Sequence, residues 1–304
     1  MIDRKTQFEG TTGQDFRRDG IWSERLGFYL LWMHYLAISP SYELARKYRA
    51  GELGKDVISD LPDDFEDVLA VYDDLGDVQR IQFLSWWRSR AIHVFGYVGT
   101  KPSVRRIDIL KSQRKGKAAM RLDRFIEGDW TEQGQPNAIV VSIPIGLSKT
   151  QITRQLNKLL ERYDDSLRVL APPKAKYPLL GTRQRKDTLF RYLMVVWVRS
   201  ALPRHALWRI GARARVSDTY SSELDPKARI SRGEQVTDRS ILSVLTSRAY
   251  SRGLSLAENA ARGRFPCYDK PENLVTPNLH EMWKLISSRR KWQKKMRRQW
   301  AEGD

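Results

Sequence analysis

The chain has too few cysteines for an internal disulfide and too few metal-binding side chains for a compact zinc site. Its 304 residues contain one cysteine, Cys267, and four histidines that are far apart in the sequence. A disulfide needs two cysteines, and a structural zinc site needs four closely spaced cysteine or histidine ligands. We therefore expect a protein of a reducing compartment that holds no metal or other cofactor.

Long apolar segments and glycine-rich phosphate loops are also missing. The longest apolar runs, "FYLLWMHYLAI" and "YLMVVWV", are shorter than the roughly 20 residues that a membrane-spanning helix needs. The first residues, "MIDRKTQFEG", lack the apolar region of a signal peptide. Gly146 stands alone after an apolar run, so nucleotide binding by a phosphate loop is not indicated. These absences predict a cytoplasmic protein with no membrane partner.

Positive charge is abundant and unevenly distributed. The net charge is +18, with an isoelectric point near 10.0. Residues 1–75 contain nine basic and fifteen acidic side chains, whereas 174–268 contain nineteen basic and seven acidic ones. A strong positive field attracts polyanions. We therefore favour nucleic acid as the partner over an anionic membrane surface.

Helical periodicity, with two short runs typical of strands, predicts a mainly α, multi-helical fold with a small α+β element. The stretch "APPKAKYPLLGTRQRKD" holds three prolines and five basic residues, and we interpret it as a linker. The predicted parts are a flexible N-terminus (1–20), a helical module (21–100), a small α+β segment (101–170), the linker (171–187), a helix-turn-helix-like DNA-binding domain (188–268) and a basic C-terminal helix (269–304).

Local signals locate several elements within these parts. Ser39 before Pro40 is typical of a helix start, and Gly51 of its end. The apolar run at 139–145 predicts a buried strand, and 104–109 predicts a shorter one. A capping box, Ser148 with Gln151, predicts the helix that follows.

The region after the linker has the pattern of a helix-turn-helix domain. An apolar helix around 188–198 is followed by the break "ALPRH" and by a second helix with Gly211 or Ala212 near its centre. A polar insertion, 217–236, precedes a third, serine- and arginine-rich helix. Arginine and serine on one exposed face suit contacts with phosphates and base edges.

We expect the cationic and serine side chains of this region and of the C-terminal helix to contact double-stranded DNA. The predicted binding residues are Arg204, Arg209, Arg213, Arg215, Arg239, Ser247, Arg248, Arg252, Arg262, Arg264, Arg290, Lys291, Lys294, Lys295, Arg297 and Arg298.

Three stretches carry a resemblance to a known group of proteins. They are "FYLLWMHYLAISPSYELA", "FRYLMVVWVRSALPRHALWRIGARARV" and "RSILSVLTSRAYSRGLSLAENAARGRFP", the last of which contains Ala261, Gly263 and Phe265 near its end. Together they cover about a third of the chain and resemble regulator-like proteins of bacterial integrative elements and phages. The resemblance implies DNA binding and control of transcription in a mobile element. The polar insertion departs from it and leaves open which helix reads the groove.

The C-terminal stretch "RRKWQKKMRRQW" can be drawn as part of one helix over 280–300. Its apolar side would carry Met282, Leu285, Ile286, Trp292, Met296 and Trp300, and its other side most of the cations. We prefer this helix, docked on the protein or on a second copy, to a disordered tail or a membrane-surface helix. If it neutralises several phosphates, binding should weaken steeply with salt.

Enzymatic alternatives have weaker support. A metal-dependent nuclease would need clustered carboxylates near a lysine, and Asp108 with Lys111 is one such pair. Asp123, Glu127 and Asp129 could complete that cluster in space. No other acidic residue is close to Asp108 and Lys111 in the sequence, so we expect no catalytic and no metal-binding residues and keep the nuclease as an alternative.

Two further alternatives remain. "RHALWR" with Tyr220 or Tyr250 has residue types of a tyrosine recombinase, but not that family's spacing. The acidic segment 60–77 could dock a protein partner, as in an RNA-binding subunit of a ribonucleoprotein complex. A homodimer is also considered.

Overall fold

The computed structural model describes residues 21–22, 26–59, 61–98, 104–110, 115–131, 137–162, 175–181, 185–227 and 235–301, and the protein is mainly helical. The elements before residue 100 are β1 (Ile21–Trp22), α1 (Leu26–Leu36), α2 (Pro40–Arg49), α3 (Lys55–Ser59), α4 (Phe65–Leu75), α5 (Phe83–Trp86, a π-helical turn Trp87–Ala91, and Ile92–Phe95) and β2 (Tyr97–Val98). The later elements are α6 (Lys115–Phe125, continued by a π-helical turn Ile126–Trp130), α7 (Lys149–Leu160), α8 (Lys186–Ala201), α9 (Leu207–Ala214), α10 (Asp218–Glu223), α11 (Val236–Ala261) and α12 (Leu279–Ala301).

The chain forms two compact units, and the larger one combines residues 23–96 with 175–304. It therefore joins the helical module expected at 21–100 to the domain expected at 188–268. The two parts share a core because α1 packs against both α8 and α11. This corrects the division drawn from the sequence, which treated them as separate bodies.

Helix α1 lies at the centre of this unit. Residues 28–36 are all buried. The Trp32 indole Nε1–H donates to the carbonyl oxygen of Ala260 (3.1 Å), and the Tyr35 hydroxyl donates to that of Leu189 (2.7 Å). These bonds satisfy the polar ends of two fully buried rings, so the whole circumference of α1 can be enclosed by its neighbours.

Helix α11 is the second central element. Its last nine residues, 253–261, are buried on every side. A Cβ built on Gly253 would lie 2.7 Å from Val196 Cγ2 on α8, and one on Gly211 of α9 would lie 2.0 Å from Thr246 Oγ1. The absence of these two side chains is what allows α8 and α9 to approach α11 closely.

One charged network joins α2, α4 and α11 in the core of this unit. Glu258, 1% exposed, accepts from the Ser39 hydroxyl (2.7 Å) and from both the backbone N–H and the hydroxyl of Ser41. Arg262 donates to Glu258 Oε2 (3.0 Å) and, through Nε and Nη2, to both oxygens of Asp64 (2.6 and 2.9 Å). Every carboxylate oxygen in the network has a donor, which is the condition for burying charge at a tolerable cost.

Several local predictions are confirmed here. The Ser39 hydroxyl accepts from Tyr42 N at the start of α2, and Gly51, just beyond its end, has a φ of +67°. Such a positive φ is readily adopted by glycine.

The smaller unit includes residues 97–174, and β1 pairs with β2 there in an antiparallel arrangement. The Ser148–Gln151 capping box starts α7, as predicted. The strands predicted at 104–109 and 139–145 are wrong: the described residues 104–110 and 137–148 form no strand, and Val140 and Ile145 are exposed. A strand requires backbone hydrogen bonds to a neighbouring strand, and the described residues of these two segments form no bridge to another described residue.

None of the helices in the described part of the chain combines the length and the apolar character needed to cross a bilayer.

Candidate nucleic-acid interface

The C-terminal helix α12 presents one packed side and one cationic side. Met282 and Ile286 are each 4% exposed, and the helix packs against α8. Trp292 and Met296 are half-buried, as expected for the same side, while the Trp300 side chain lies outside the described residues. The exposed cations, which we call the terminal surface, are Arg290, Lys291, Lys294, Lys295, Arg297 and Arg298.

No carboxylate of the described chain forms an ion pair with the terminal surface. The nearest pair on the same helix joins Lys284 to Glu281 (2.8 Å), one or two turns earlier. Six exposed cations within nine residues repel one another at low salt. A polyanion would relieve that repulsion and release its own counterions.

A second set of exposed predicted residues lies around α9 and in the middle of α11. Arg204 in the turn before α9, Arg213 on α9 and Arg215 just after it are all exposed. On α11, Ser247 and Arg248 are exposed as well. We call these five residues the helical surface; its arginines make no ion pair with any carboxylate that the structure describes.

Two predicted arginines instead share one tryptophan. The guanidinium carbon of Arg209 lies 4.5 Å from the Trp208 ring centre, and that of Arg239 lies 6.0 Å from it. Arg209 Nη1 also donates to the carbonyl oxygen of Pro226 (2.5 Å), and Arg239 Nε to that of Gln235 (3.3 Å). Both guanidiniums are half-buried and held against the protein, so they are less available to a ligand than Arg213 or Arg248.

Arg252 is similarly held, although it is exposed. Its guanidinium donates to the Tyr192 hydroxyl (2.9 Å) and lies 5.9 and 5.8 Å from the ring centres of Tyr192 and Tyr268. The hydrogen bond to Tyr192 is the main reason that the pKa of Arg252 is raised. Arg252 therefore links α8 to α11, whereas Arg248, one turn earlier, has no such contact among the described residues.

The prediction that Arg262 contacts nucleic acid is wrong. Arg262 is 9% exposed, and Asp64 and Glu258 occupy its guanidinium. Arg262 could reach a ligand only by leaving these carboxylates. That would leave unpaired charges in the core, which is energetically costly. Arg264 is exposed, but it donates to the Asn259 side chain (2.8 Å).

Two carboxylates of the nuclease alternative form ion pairs with arginines in the smaller unit. Asp108 pairs with Arg121, and Asp129 with Arg105. Lys111 lies outside the described residues. Within the described ranges there is no group of three or more histidine, cysteine, aspartate or glutamate side chains that could hold a metal ion.

One tyrosine of the recombinase alternative is packed in an apolar cluster. Tyr250 packs against the cluster formed by Val195, Ile210 and Ala214, and burial raises its pKa. The carbonyl oxygen of His205 accepts from Arg199 Nη1 (3.1 Å). A tyrosine nucleophile needs its hydroxyl activated, and burial in an apolar cluster does the opposite.

The acidic segment 60–77 is only partly open to solvent. Asp73 pairs with Arg49 (2.5 Å), Asp74 with Lys176 (2.6 Å), and Asp64 with Arg262. Asp63, Glu66 and Asp67 are exposed at the start of α4, where the helix dipole favours negative charge.

Sequence reasoning missed a cluster of buried polar groups between α1, α8 and α12. Arg289 is 5% exposed and His34 5%, and neither Arg289 Nε nor Nη1, nor His34 Nδ1, nor Trp197 Nε1 has a hydrogen-bond partner among the described residues. One signal was present in the sequence. Arg289 follows Met282 and Ile286 at spacings of seven and three residues, which places it on the packed side of α12.

Comparisons with protein-family models, with curated proteins and with solved structures give no match for this chain.

Proposed function

We propose that this protein binds nucleic acid, most readily double-stranded DNA, as a transcriptional regulator or accessory factor of a mobile genetic element. The observation that carries the proposal is the terminal surface, with six exposed cations opposite the packed side of α12. Such a surface suits phosphate contacts that position a protein without reading sequence. The link to a mobile element depends on the sequence resemblance alone.

The helical surface is proposed to supply sequence reading. Helices α8 and α9, with the turn between them, pack on α11 in the order expected for a helix-turn-helix-like domain. The close approach of Gly211 to Thr246 supports that interpretation, because the motif needs a small residue at such a crossing. Arg213 and Arg248 are then the residues most able to contact base edges.

The first test separates phosphate contacts from base contacts by their salt dependence. We expect the variant with Lys294, Lys295, Arg297 and Arg298 all changed to Gln to bind duplex DNA more weakly at every sequence. Its plot of log affinity against log salt should be shallower by about 0.9 for each phosphate that is no longer neutralised. Electrophoretic mobility shifts between about 50 and 200 mM salt measure both quantities. An unchanged slope would remove α12 from the interface.

The second test addresses sequence reading. A preferred duplex is first selected from a random library, and Arg248→Ala is then expected to weaken binding to it by about 1–3 kcal/mol per base contact while changing binding to unrelated duplex little. Arg154→Ala on α7 is the matched control, since it removes an exposed arginine from the smaller unit. Binding should be insensitive to EDTA. Tighter binding to RNA of the same sequence would favour the ribonucleoprotein alternative instead.

A further inference from the structure

The smaller unit has apolar surface but no interior among its described residues. Every side chain that the structure describes between residues 97 and 162 is half-buried or exposed, whereas the larger unit encloses rings such as Trp32 and Phe265 completely. Eleven of the seventeen exposed large apolar side chains in the described chain belong to the smaller unit. Burial of apolar surface is the main force that stabilises a fold, so this unit lacks a cover for its apolar groups.

Helix α7 has the pattern of a helix that packs against something. Ile152, Leu156 and Leu159 follow one another at spacings of four and three residues and therefore lie on one side. They are half-buried, and no residue of α7 is fully buried. A helix of this kind gains most of its stability in a protein by packing its apolar side.

The segment 139–145, which we call the apolar segment, has the pattern of a strand with one packed face. Ile139, Val141, Ile143 and Ile145 alternate with smaller or polar residues and lie on one face of an extended chain. Their exposed fractions are 41, 41, 43 and 81%. No backbone hydrogen bond or bridge joins 139–143 to another described residue. An apolar strand with open backbone groups is a template for pairing with another chain.

The absence of charge around the apolar segment favours a second copy of this chain as that partner. Residues 137–148, "NAIVVSIPIGLS", contain no charged side chain, although 30% of the whole chain is charged. Two copies that each carry a net charge of +18 repel one another, so contact between them is least costly where both are neutral. An acidic partner would instead be matched by cations at this face, and the segment offers none.

The position of Pro144 defines how two such segments would pair. In an antiparallel pair, alternate residues direct their backbone N–H and C=O groups to the neighbouring strand. Pro144 has no N–H, so the even-numbered residues are the ones that should face away from the partner. A two-fold axis through Val141 meets this condition, because it pairs odd-numbered residues only and sets Ile139 opposite the partner's Ile143.

We propose that two copies of this protein pair their apolar segments antiparallel, centred on Val141, and so form a homodimer. The apolar faces of both strands and of both α7 helices then close one shared core. Such a contact is self-complementary, as two-fold symmetry requires. The proposal does not depend on nucleic-acid binding, since none of these residues belongs to the terminal surface or the helical surface.

Analytical ultracentrifugation of the full-length protein tests the dimer. The protein is first treated with nuclease and measured in about 0.5 M sodium chloride, where charge-mediated bridging by nucleic acid is weak. We expect twice the chain mass of 35.4 kDa at micromolar concentration. Val141→Lys places two like charges opposite each other in the buried pair and should raise the dimer Kd about 100-fold. Val57→Lys, which adds the same charge at a valine of the larger unit that is 43% exposed, should leave the Kd unchanged.

Two proline variants test the pairing centred on Val141. Val141→Pro and Ser142→Pro each remove one N–H and introduce the same ring, but only the N–H of Val141 would bond to the partner. We expect the dimer Kd of Val141→Pro to exceed that of Ser142→Pro about 10-fold, since the two-fold axis doubles each lost hydrogen bond. Both should keep the helical circular-dichroism signal, because the segment is exposed in the single chain. Equal losses, or a larger loss in Ser142→Pro, would contradict this register.

Hydrogen exchange over 137–148 distinguishes the other possible covers of the apolar segment. We expect its amides to be protected above the dimer Kd and to exchange rapidly below it. A protein that is monomeric at every concentration would overturn the proposal. Protected amides in that monomer would show that the chain covers the segment itself, and rapid exchange would leave the segment for a different protein. A dimer that Val141→Lys does not weaken would equally overturn it. Loss of duplex binding without a change in mass would count against the proposed function alone.

Discussion

Arg262 and Arg289 are buried to similar extents in the same helical unit, yet their surroundings differ completely. Arg262 donates to Asp64, to Glu258 and to the carbonyl oxygen of Asn273, whereas Nε and Nη1 of Arg289 have no acceptor in the described structure. The first charge is enclosed together with its counter-charges, and the second is enclosed without them. Burial alone therefore does not define an arginine's role: Arg262 joins elements through its ion pairs, while Arg289 is enclosed without a carboxylate among the described residues.

The largest effect expected from this comparison is the loss of Arg262. Arg262→Met would leave the buried Glu258 and the half-buried Asp64 without their cation. We expect the free energy of unfolding to fall by about 3–5 kcal/mol, the range for breaking a buried ion pair. Urea unfolding followed by circular dichroism measures it. A loss below about 1 kcal/mol would show that the network contributes little, and the contrast with Arg289 would then disappear.

The next effect is a pH dependence caused by His34 beside Arg289. The pKa of His34 is about 3 in the folded protein and about 6.5 when unfolded, so between these values the unfolded chain binds one more proton. Stability from this residue is therefore complete above pH 6.5 and falls by about 1.4 kcal/mol for each pH unit below it.

His34→Gln should remove this part of the slope. The measurement is the difference in unfolding free energy between wild type and variant at pH 7, 6 and 5, which cancels contributions common to both. Parallel curves would mean that the imidazole is protonated in the folded state, or has gained a hydrogen-bond acceptor.

A smaller effect, of opposite sign to that of Arg262→Met, is expected from Arg289→Met. The substitution keeps most of the apolar stem and removes an unpaired buried charge. We expect the protein to become more stable by about 1–3 kcal/mol. Urea unfolding gives the value. Destabilisation similar to that of Arg262→Met would show that Arg289 has a partner within the protein.

The smallest effect is that of Arg297→Met on the exposed side of the same helix. The unfolding free energy should change by less than about 0.5 kcal/mol, as for most surface substitutions. Affinity for duplex DNA at low salt should nevertheless decrease, since one cation fewer is present to neutralise a phosphate. Stability and DNA binding measured on the same preparation separate the two roles, and a large stability change would mean that this side of α12 is also packed.

The sequence predicted the features that local chemistry determines. Ser39 with Pro40, and Ser148 with Gln151, mark helix starts because a hydroxyl there bonds nearby backbone N–H groups. The helix over 280–300 was predicted from its periodicity. Arg262 was assigned wrongly although a local signal existed, because Glu258 is four residues earlier, at the spacing of a helical ion pair.

Other features depend on partners far away in the sequence. Asp64 pairs with Arg262, which lies 198 positions later in the sequence, and no local pattern predicts this ion pair. The apolar run 139–145 has strand composition, but a strand forms only where a neighbouring backbone is available. The sequence could not predict that Arg289 lacks acceptors either. Whether a buried group has a hydrogen-bond partner depends on every element that packs around it.

The hydrogen bond from Trp32 to Ala260 joins residues 228 positions apart and has a consequence for synthesis. On the ribosome, α1 emerges long before α11, so the Trp32 indole N–H meets its acceptor only after more than two hundred further residues have been translated. The rings of Trp87 and Phe95, which pack against Tyr29 and Trp32, are released earlier and can cover part of α1 first. The core should therefore close only once α11 is released, and the nascent chain exposes apolar surface until then.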